Sequence, residues 1–272
     1  MLVALTRAVP PSIDRCELTH LAREPIDHAR AVREHHAYEN VLRELGCRVE
    51  RLPDLPENPD SVFVEDTAVV VDRVAVLARP GAASRRGEVE STARALAPYR
   101  ALARIEPPGT LDGGDVLVTP GVVFVGVSGR TNADGVRQLA AILAPHRFEV
   151  RPVTVTACLH LKSAVTAIPP RAIPPEGGSD RITGEGGRYR LLINPAWVDP
   201  SHFAGFDLIE VDPAEPDAAN VLTVGGRVVC AEAHTRTEAR LRAHGIQTLI
   251  VPAGELAKAE GGLTCGSILL SV

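Results

Sequence analysis

Four short segments carry the residue types that could do chemistry on a cationic substrate. They are Asp60-Ser61-Val62-Phe63-Val64-Glu65-Asp66, Leu111-Asp112-Gly113-Gly114-Asp115, His160-Leu161-Lys162-Ser163 and Gly261-Gly262-Leu263-Thr264-Cys265. A cysteine attacks as its thiolate, a histidine moves protons near neutral pH, and grouped carboxylates attract a cation. Singly, each signal is weak. A lone cysteine is more often a small buried residue, and Cys16, Cys47, Cys158 and Cys230 are read that way. Glu65-Asp66 could be a solvated pair, but apolar neighbours on both sides favour a strand-borne pair pointing into a site. Asp115 is open between a site residue and a carboxylate that satisfies backbone N–H groups beside the glycine turn.

The elements that must position these residues recur along the chain. Residues 61–71 and 74–77 are β-rich and separated by Asp72-Arg73; a helix over 88–97 and a strand over 101–105 follow. The order restarts with a hairpin over 116–119 and 122–127, a helix over 133–143 and a strand over 148–155. A third copy has strands 220–224 and 228–231 about Gly225-Gly226, a helix 235–243 and a strand 246–251. Paired glycines supply the positive φ of a tight hairpin turn. A degenerate copy uses 160–168, 191–194 and 206–211, interrupted by the Gly-, Pro- and charge-rich stretch 169–190, an expected exposed insertion. The last copy closes across the termini, with strands 268–271 and 2–6, a helix 26–45 and a strand 48–52. Its apolar stripe is expected at Ala29, Val32, Val41, Leu42 and Leu45. Five strand-strand-helix-strand units in a cycle suit a closed, pseudo-symmetric α/β assembly of one domain over 1–272. An open doubly wound sheet fits less well, since no strand runs into a GxGxxG phosphate loop. In a radial array the four chemical segments, each at the start of a unit, converge on the centre.

Composition sets the class. The chain has 272 residues, 45% hydrophobic and 23% charged, with a formal net charge of -5, which argues against nucleic acid and anionic membranes as partners. No apolar run approaches the ~20 residues of a bilayer span, and the first residues lack a basic region followed by a long apolar stretch. Five scattered cysteines without a CxxC argue against a disulfide framework or zinc cage. The expected location is therefore cytoplasmic.

The motifs SVFVED, PGAASRRGE (80–88), LDGGD, GRTNADG (129–135), LHLKS and GGLTCGS stand in one order over nearly the whole chain apart from 169–190. In that order they resemble the guanidine-modifying enzymes of the pentein superfamily, and among them the dimethylarginine dimethylaminohydrolases. The resemblance implies a five-bladed α/β-propeller and hydrolysis of Nω-methylated arginines to citrulline without cofactor or metal. It implies Cys265 as nucleophile, His160 as general acid and base, and Asp112 as the carboxylate that orients it. Asp112 stands where some relatives have Glu, and the shorter side chain reaches if the backbone is closer. Asp66 is implied as the main guanidinium clamp with Glu65 beside it. Arg85 and Arg130 are implied for the α-carboxylate, Asp60 and the backbone near Leu18 for the α-ammonium, and 17–24 as a mobile lid. Which of Arg85 and Arg86 contacts substrate is open. Asn220, at the start of its own unit, is expected to line the pocket. Arginine deiminases and amidinotransferases typically carry Asp two residues after the catalytic histidine. Lys162 stands there, so its place in the site is expected to favour alkylated guanidines.

Other chemistries find no support. His35-His36 point about 100° apart on a helix and no HExxH is present; the serines have no GxSxG. A pentein hydrolase of another guanidino compound such as arginine, or a non-catalytic methylarginine binder, are the alternatives. The expected partner is a small guanidino molecule, and a homodimer is compatible with the chain.

Overall fold

The computed structural model describes residues 1–169, 183–184 and 187–272. Strand β1 (Leu2–Arg7), helix α1 (His28–Glu44) and strand β2 (Cys47–Leu52) come first. Next are β3 (Ala68–Val71), β4 (Val74–Leu77), α2 (Val89–Leu96) and β5 (Ala101–Arg104). Then follow β6 (Val116–Thr119), β7 (Val122–Val127), α3 (Ala133–Leu143) and β8 (Glu149–Thr154). The short helix α4 (Leu161–Ala164) leads into β9 (Val165–Ile168). A two-residue ribbon, β10 (Thr183–Gly184) with β11 (Gly187–Arg188), precedes β12 (Arg190–Ile193) and β13 (Asp207–Glu210). The chain ends with β14 (Leu222–Val224), β15 (Arg227–Ala231), α5 (Thr235–Ala243), β16 (Thr248–Val251), α6 (Gly254–Ala257) and β17 (Ile268–Ser271).

These strands make five three-stranded sheets, ordered β17-β1-β2, β3-β4-β5, β6-β7-β8, β9-β12-β13 and β14-β15-β16. In each, two strands pair antiparallel and the third joins parallel, the order a crossover connection requires. At the β14–β15 turn Gly225 and Gly226 both have positive φ (57° and 78°), which a side chain would strain. Asp27 and Asn132 cap α1 and α3 by accepting the N–H groups of Arg30 and Gly135.

The sheets close a ring because each apolar core is shared by two neighbours. Val3 and Leu5 pack with Ala75 and Leu77, Val69 and Val76 with Val123 and Leu139, and Phe124 and Val153 with Val165 and Leu191. Leu192 and Ile209 pack with Val228 and Leu241, and Val229 and Val251 return to Ala4 and Leu42. This is the expected five-unit propeller. Among the described residues no helix is long and apolar enough to cross a membrane.

Three expectations need correction or bounds. Residues 61–67 are not strand: Val64–Thr67 is a 3₁₀ turn, and β3 begins only at Ala68. The turn is favoured because Thr67 Oγ1 donates to Val64 O (2.7 Å). Helix α1 buries Ala31, Glu34, His35, Tyr38, Glu39 and Leu42 rather than the purely apolar stripe, and Ala29 is exposed. The polar members are partnered: Thr6 Oγ1 donates to Glu39 (2.7 Å), and Tyr38 Oη donates to Leu263 O (3.0 Å). Most of the expected insertion 169–190 lies outside the described residues; within it Arg190 opens β12.

Candidate active site

The four chemical segments meet at the ring's centre, on turns just before the innermost strands. The 3₁₀ turn Val64–Thr67 sends adjacent acids in different directions. Asp66 Oδ2 accepts from Arg85 Nη1 (2.6 Å) and Oδ1 from Gly114 N (3.0 Å), with His160 Nδ1 at 3.8 Å. Burial opposes its charge, but His160 and Arg85 outweigh it and hold the Asp66 carboxyl down at about 2. Glu65 turns away: its oxygens accept from Lys162 Nζ and from Thr264 Oγ1 (2.6 Å). Burial there wins and pushes the Glu65 carboxyl up, against the pull of Lys162.

His160 is buried at the start of α4. Its Nε2 lies 3.1 Å from Asp112 Oδ2, while Asp112 Oδ1 accepts from Gly81 N (2.9 Å). Asp112 therefore reaches despite being shorter than Glu. Burial would lower the imidazole, but Asp66, Asp112 and Asp115 raise it to about 9. Asp115 has a supporting role: Oδ1 accepts Leu161 N (2.9 Å) and Oδ2 accepts Ser128 Oγ (2.6 Å), pinning the turn that carries His160. Gly114 has no room for a side chain. A Cβ there would lie 2.5 Å from His160 Nδ1 and 2.7 Å from Asp66 Oδ1.

Cys265 ends the turn before β17 and is 7% exposed. Its Sγ accepts Gly262 N at 3.4 Å, and its carbonyl accepts Glu65 N at 3.2 Å. Burial, then the Asp66 and Glu65 carboxylates, push the thiol up to about 12. Asn220 splints this turn. Its Oδ1 accepts Thr264 N (2.9 Å), and its Nδ2 donates to Thr264 Oγ1 (3.2 Å) and Lys162 O (3.1 Å).

A small cavity of about 10 Å³ lies among Asp60, Asp66, Arg85, Arg130, His160 and Cys265, with Glu17, Phe63 and Glu260 also on its wall. Of the expected contact residues, Glu65, Lys162, Leu18 and Asn220 do not face it. Glu65 and Lys162 pair behind it, and Leu18 packs with Val9, Ile13 and Phe63. Arg85 is the member of the Arg85-Arg86 pair on the wall. Most of its fork is engaged by Asp66, Glu88 and the carbonyls of Asp60 and Phe63, leaving one Nη1–H. Arg86 Nε donates to Pro80 O (3.1 Å).

The segment 17–24 borders the cavity through Glu17 and is held by contacts that no sequence pattern signals. Glu17 N donates to both Asp60 oxygens (3.2 Å each), and Arg130 Nη2 donates to Thr19 Oγ1 (3.0 Å). The Glu260 carboxylate accepts three consecutive N–H groups, from Thr19 (3.0 Å), His20 (2.5 Å) and Leu21 (2.7 Å). Glu260 itself has φ 57°, uncommon for a residue with a side chain. The only hint was its place before Gly261-Gly262. Asp66, Asp112 and His160 also present donor atoms within 4.8 Å of one another, a spacing a metal ion could use. Arg85, Gly81 and Gly114 already donate hydrogen bonds to oxygens of this set.

Residues 17–166 match the family described as N,N dimethylarginine dimethylhydrolase, eukaryotic. A relative from Streptomyces coelicolor, an N(G),N(G)-dimethylarginine dimethylaminohydrolase, is 37% identical over 98% of this chain and 96% of its own. The dimethylarginine dimethylaminohydrolase of Pseudomonas aeruginosa, solved as a cysteine-to-serine variant with citrulline, superposes with a TM-score of 0.88 at 30% identity over 98% of both chains. A histidine-to-glycine dimethylarginine dimethylaminohydrolase, as an adduct with S-methyl-L-thiocitrulline, gives 0.87 at 30% identity over 99% of this chain and all of its own. The chain belongs to the dimethylarginine dimethylaminohydrolase family, within the pentein fold.

Proposed function

We propose that this chain hydrolyses Nω-methylated L-arginines, asymmetric dimethylarginine and monomethylarginine, to L-citrulline and dimethylamine or methylamine. The observation that carries the reading is the electrostatics of one cavity. A buried thiol sits beside carboxylates that oppose its ionisation, and on the same cavity wall stands a histidine whose carboxylate partners favour its protonated form. A guanidinium reverses the balance. Its planar N–H edges pair with Asp66, and its charge favours the Cys265 thiolate, which releases its proton to solvent.

The thiolate then attacks the guanidine carbon. His160, already protonated, gives its Nδ1 proton to the departing amine as the C–N bond breaks. A thiouronium remains on Cys265. Neutral His160 next takes a proton from water, whose oxygen adds to the same carbon, and the C–S bond breaks to give citrulline and the free thiol. Asp112 holds the imidazole by Nε2, leaving Nδ1 to face the reaction. Asp60, Arg130 and the remaining Arg85 N–H, on the same cavity wall, would take the amino-acid end. Lys162 acts by neutralising Glu65, which leaves Asp66 as the sole carboxylate for the guanidinium.

All these residues lie in one chain, so the reaction needs no partner subunit, and a homodimer is compatible with it. A cytoplasmic location is part of the reading, supported by five free cysteines. The test is incubation with asymmetric dimethylarginine and, separately, arginine, following citrulline and dimethylamine by mass spectrometry. Matched citrulline and dimethylamine, with little citrulline from arginine, is the expected result. Citrulline mainly from arginine would overturn the substrate assignment.

A further inference from the structure

We infer that the departing amine of this reaction is received by a second, larger chamber, so that the enzyme also hydrolyses arginines carrying bulky apolar Nω-substituents. This rests on the methylarginine-hydrolase reading above.

A cavity of about 650 Å³ lies beside the catalytic one. Leu159, Glu260 and Gly261 are walls of both. The chamber therefore borders the residues that flank the acid and the nucleophile, although neither His160 nor Cys265 itself lines it. Leu159 directly precedes His160, and Gly262, whose N–H points at Cys265 Sγ from 3.4 Å, also lines it. The chemistry fixes which end of the substrate turns this way. A nitrogen can leave only where it meets the proton of His160 Nδ1, so its substituents project past the residues flanking His160.

The chamber's make-up fits that occupant. Leu21, Leu159, Trp197 and Leu263 give it an apolar body. Its carboxylates are Asp217, Glu232 and Glu260, and among the described residues no lysine or arginine lines it. Asp217 pairs with His234 Nε2 at 3.2 Å, leaving the wall net negative. An amine leaves with a proton from His160 and becomes an ammonium in water, so an apolar ammonium suits this space and an anion does not. Volumes of ~300–1,000 Å³ are those of pockets for drug-sized ligands, and two methyl groups need far less. The bond changes are those of the dimethyl reaction: Cys265 Sγ bonds to the guanidine carbon, the C–N bond breaks, and the larger amine carries away the His160 proton.

The test compares Nω-benzyl-L-arginine with asymmetric dimethylarginine, measuring citrulline and the matching amine. In the wild type, kcat/KM for the benzyl substrate is expected within about tenfold of the dimethyl value. Ala233→Trp and Ala257→Trp each fill the chamber from its rim, away from Cys265 and His160. Each is expected to cut benzyl turnover by about 20-fold or more while leaving dimethyl turnover within about twofold; the dimethyl rate also reports correct folding. Trp197, the single tryptophan, offers a direct readout. In Cys265→Ser its emission should change on titration with the benzyl compound and not with the dimethyl one. Dimethyl turnover with benzyl turnover more than about 100-fold lower overturns this inference alone, as does an equal loss of both substrates in the two filling variants. No turnover of either substrate overturns the function and the inference together.

Discussion

The outer layer and the central turns of this ring follow different rules. Outside, α2, α3 and α5 each bury one apolar face, and Leu96, Leu139 and Leu241 are interchangeable in role. At the centre nothing is interchangeable. The turns at 64–67, 113–115 and 261–265 approach so closely that a Cβ on Gly113 would lie 1.9 Å from Glu65 O, and one on Gly262 2.3 Å from the Asn220 amide. The repeat delivers five equivalent positions, and the departures from it supply the thiol, the imidazole and the acids. Substitutions in the two regions should therefore separate activity from stability.

The largest effect is expected at His160. His160→Ala removes the proton donor and should lower kcat for dimethylarginine by ~10⁴-fold, read by steady-state citrulline formation with the melting temperature as control. Gly114→Ala pushes a methyl group against His160 Nδ1 and Asp66 Oδ1. A displacement near 1 Å costs about 10²-fold in kcat, and a variant with wild-type kcat would show that the crowding at this glycine is not functional.

Glu260→Gln weakens the three hydrogen bonds to residues 19–21 without touching the reacting groups. KM should rise by about tenfold with kcat kept, since charge-assisted bonds contribute ~1.5–3 kcal/mol each at most. Hydrogen exchange should show the amides of Thr19, His20 and Leu21 losing protection, and unchanged exchange would contradict the latch. The pH profile gives a subtler sign. His160 titrates at about 9, above its ordinary value of 6.5, so its acid form is present at neutral pH and lost as pH rises through about 9. The stability from its carboxylate partners is likewise complete below about 6.5 and lost toward 9. The alkaline limb of kcat/KM should fall near there, and Asp112→Asn should move it to lower pH by removing a carboxylate that favours the imidazolium. An unmoved limb would assign it to another group. Leu139→Ala, in the outer layer, should leave kcat unchanged while destabilising the fold by ~2–5 kcal/mol, measured by denaturant unfolding.

The same division explains what the sequence made legible. The outer helices and hairpins follow periodicity, so α3, β6 and β7 lie where their patterns put them. The central turns do not: 61–67 has a strand's composition, yet Asp66 and Thr67 bond within a tight turn, which periodicity cannot register. The motifs named Cys265, His160, Asp112 and Asp66, and the chain brings them together. They could not reveal that Glu65 faces Lys162, that Arg85 is largely engaged by Asp66 and Glu88, or that Glu260 holds residues 19–21. Those facts depend on which way a side chain turns from a crowded backbone.

The most direct test is whether Cys265 becomes covalently bonded during turnover. Mixtures with asymmetric dimethylarginine, quenched in acid during steady state, are digested and the peptide carrying Cys265 is weighed by mass spectrometry. An adduct on that peptide whose mass is the substrate less dimethylamine, absent with Cys265→Ser, is the predicted result. Full turnover by Cys265→Ser, or an adduct on Cys158 or another cysteine, would contradict it.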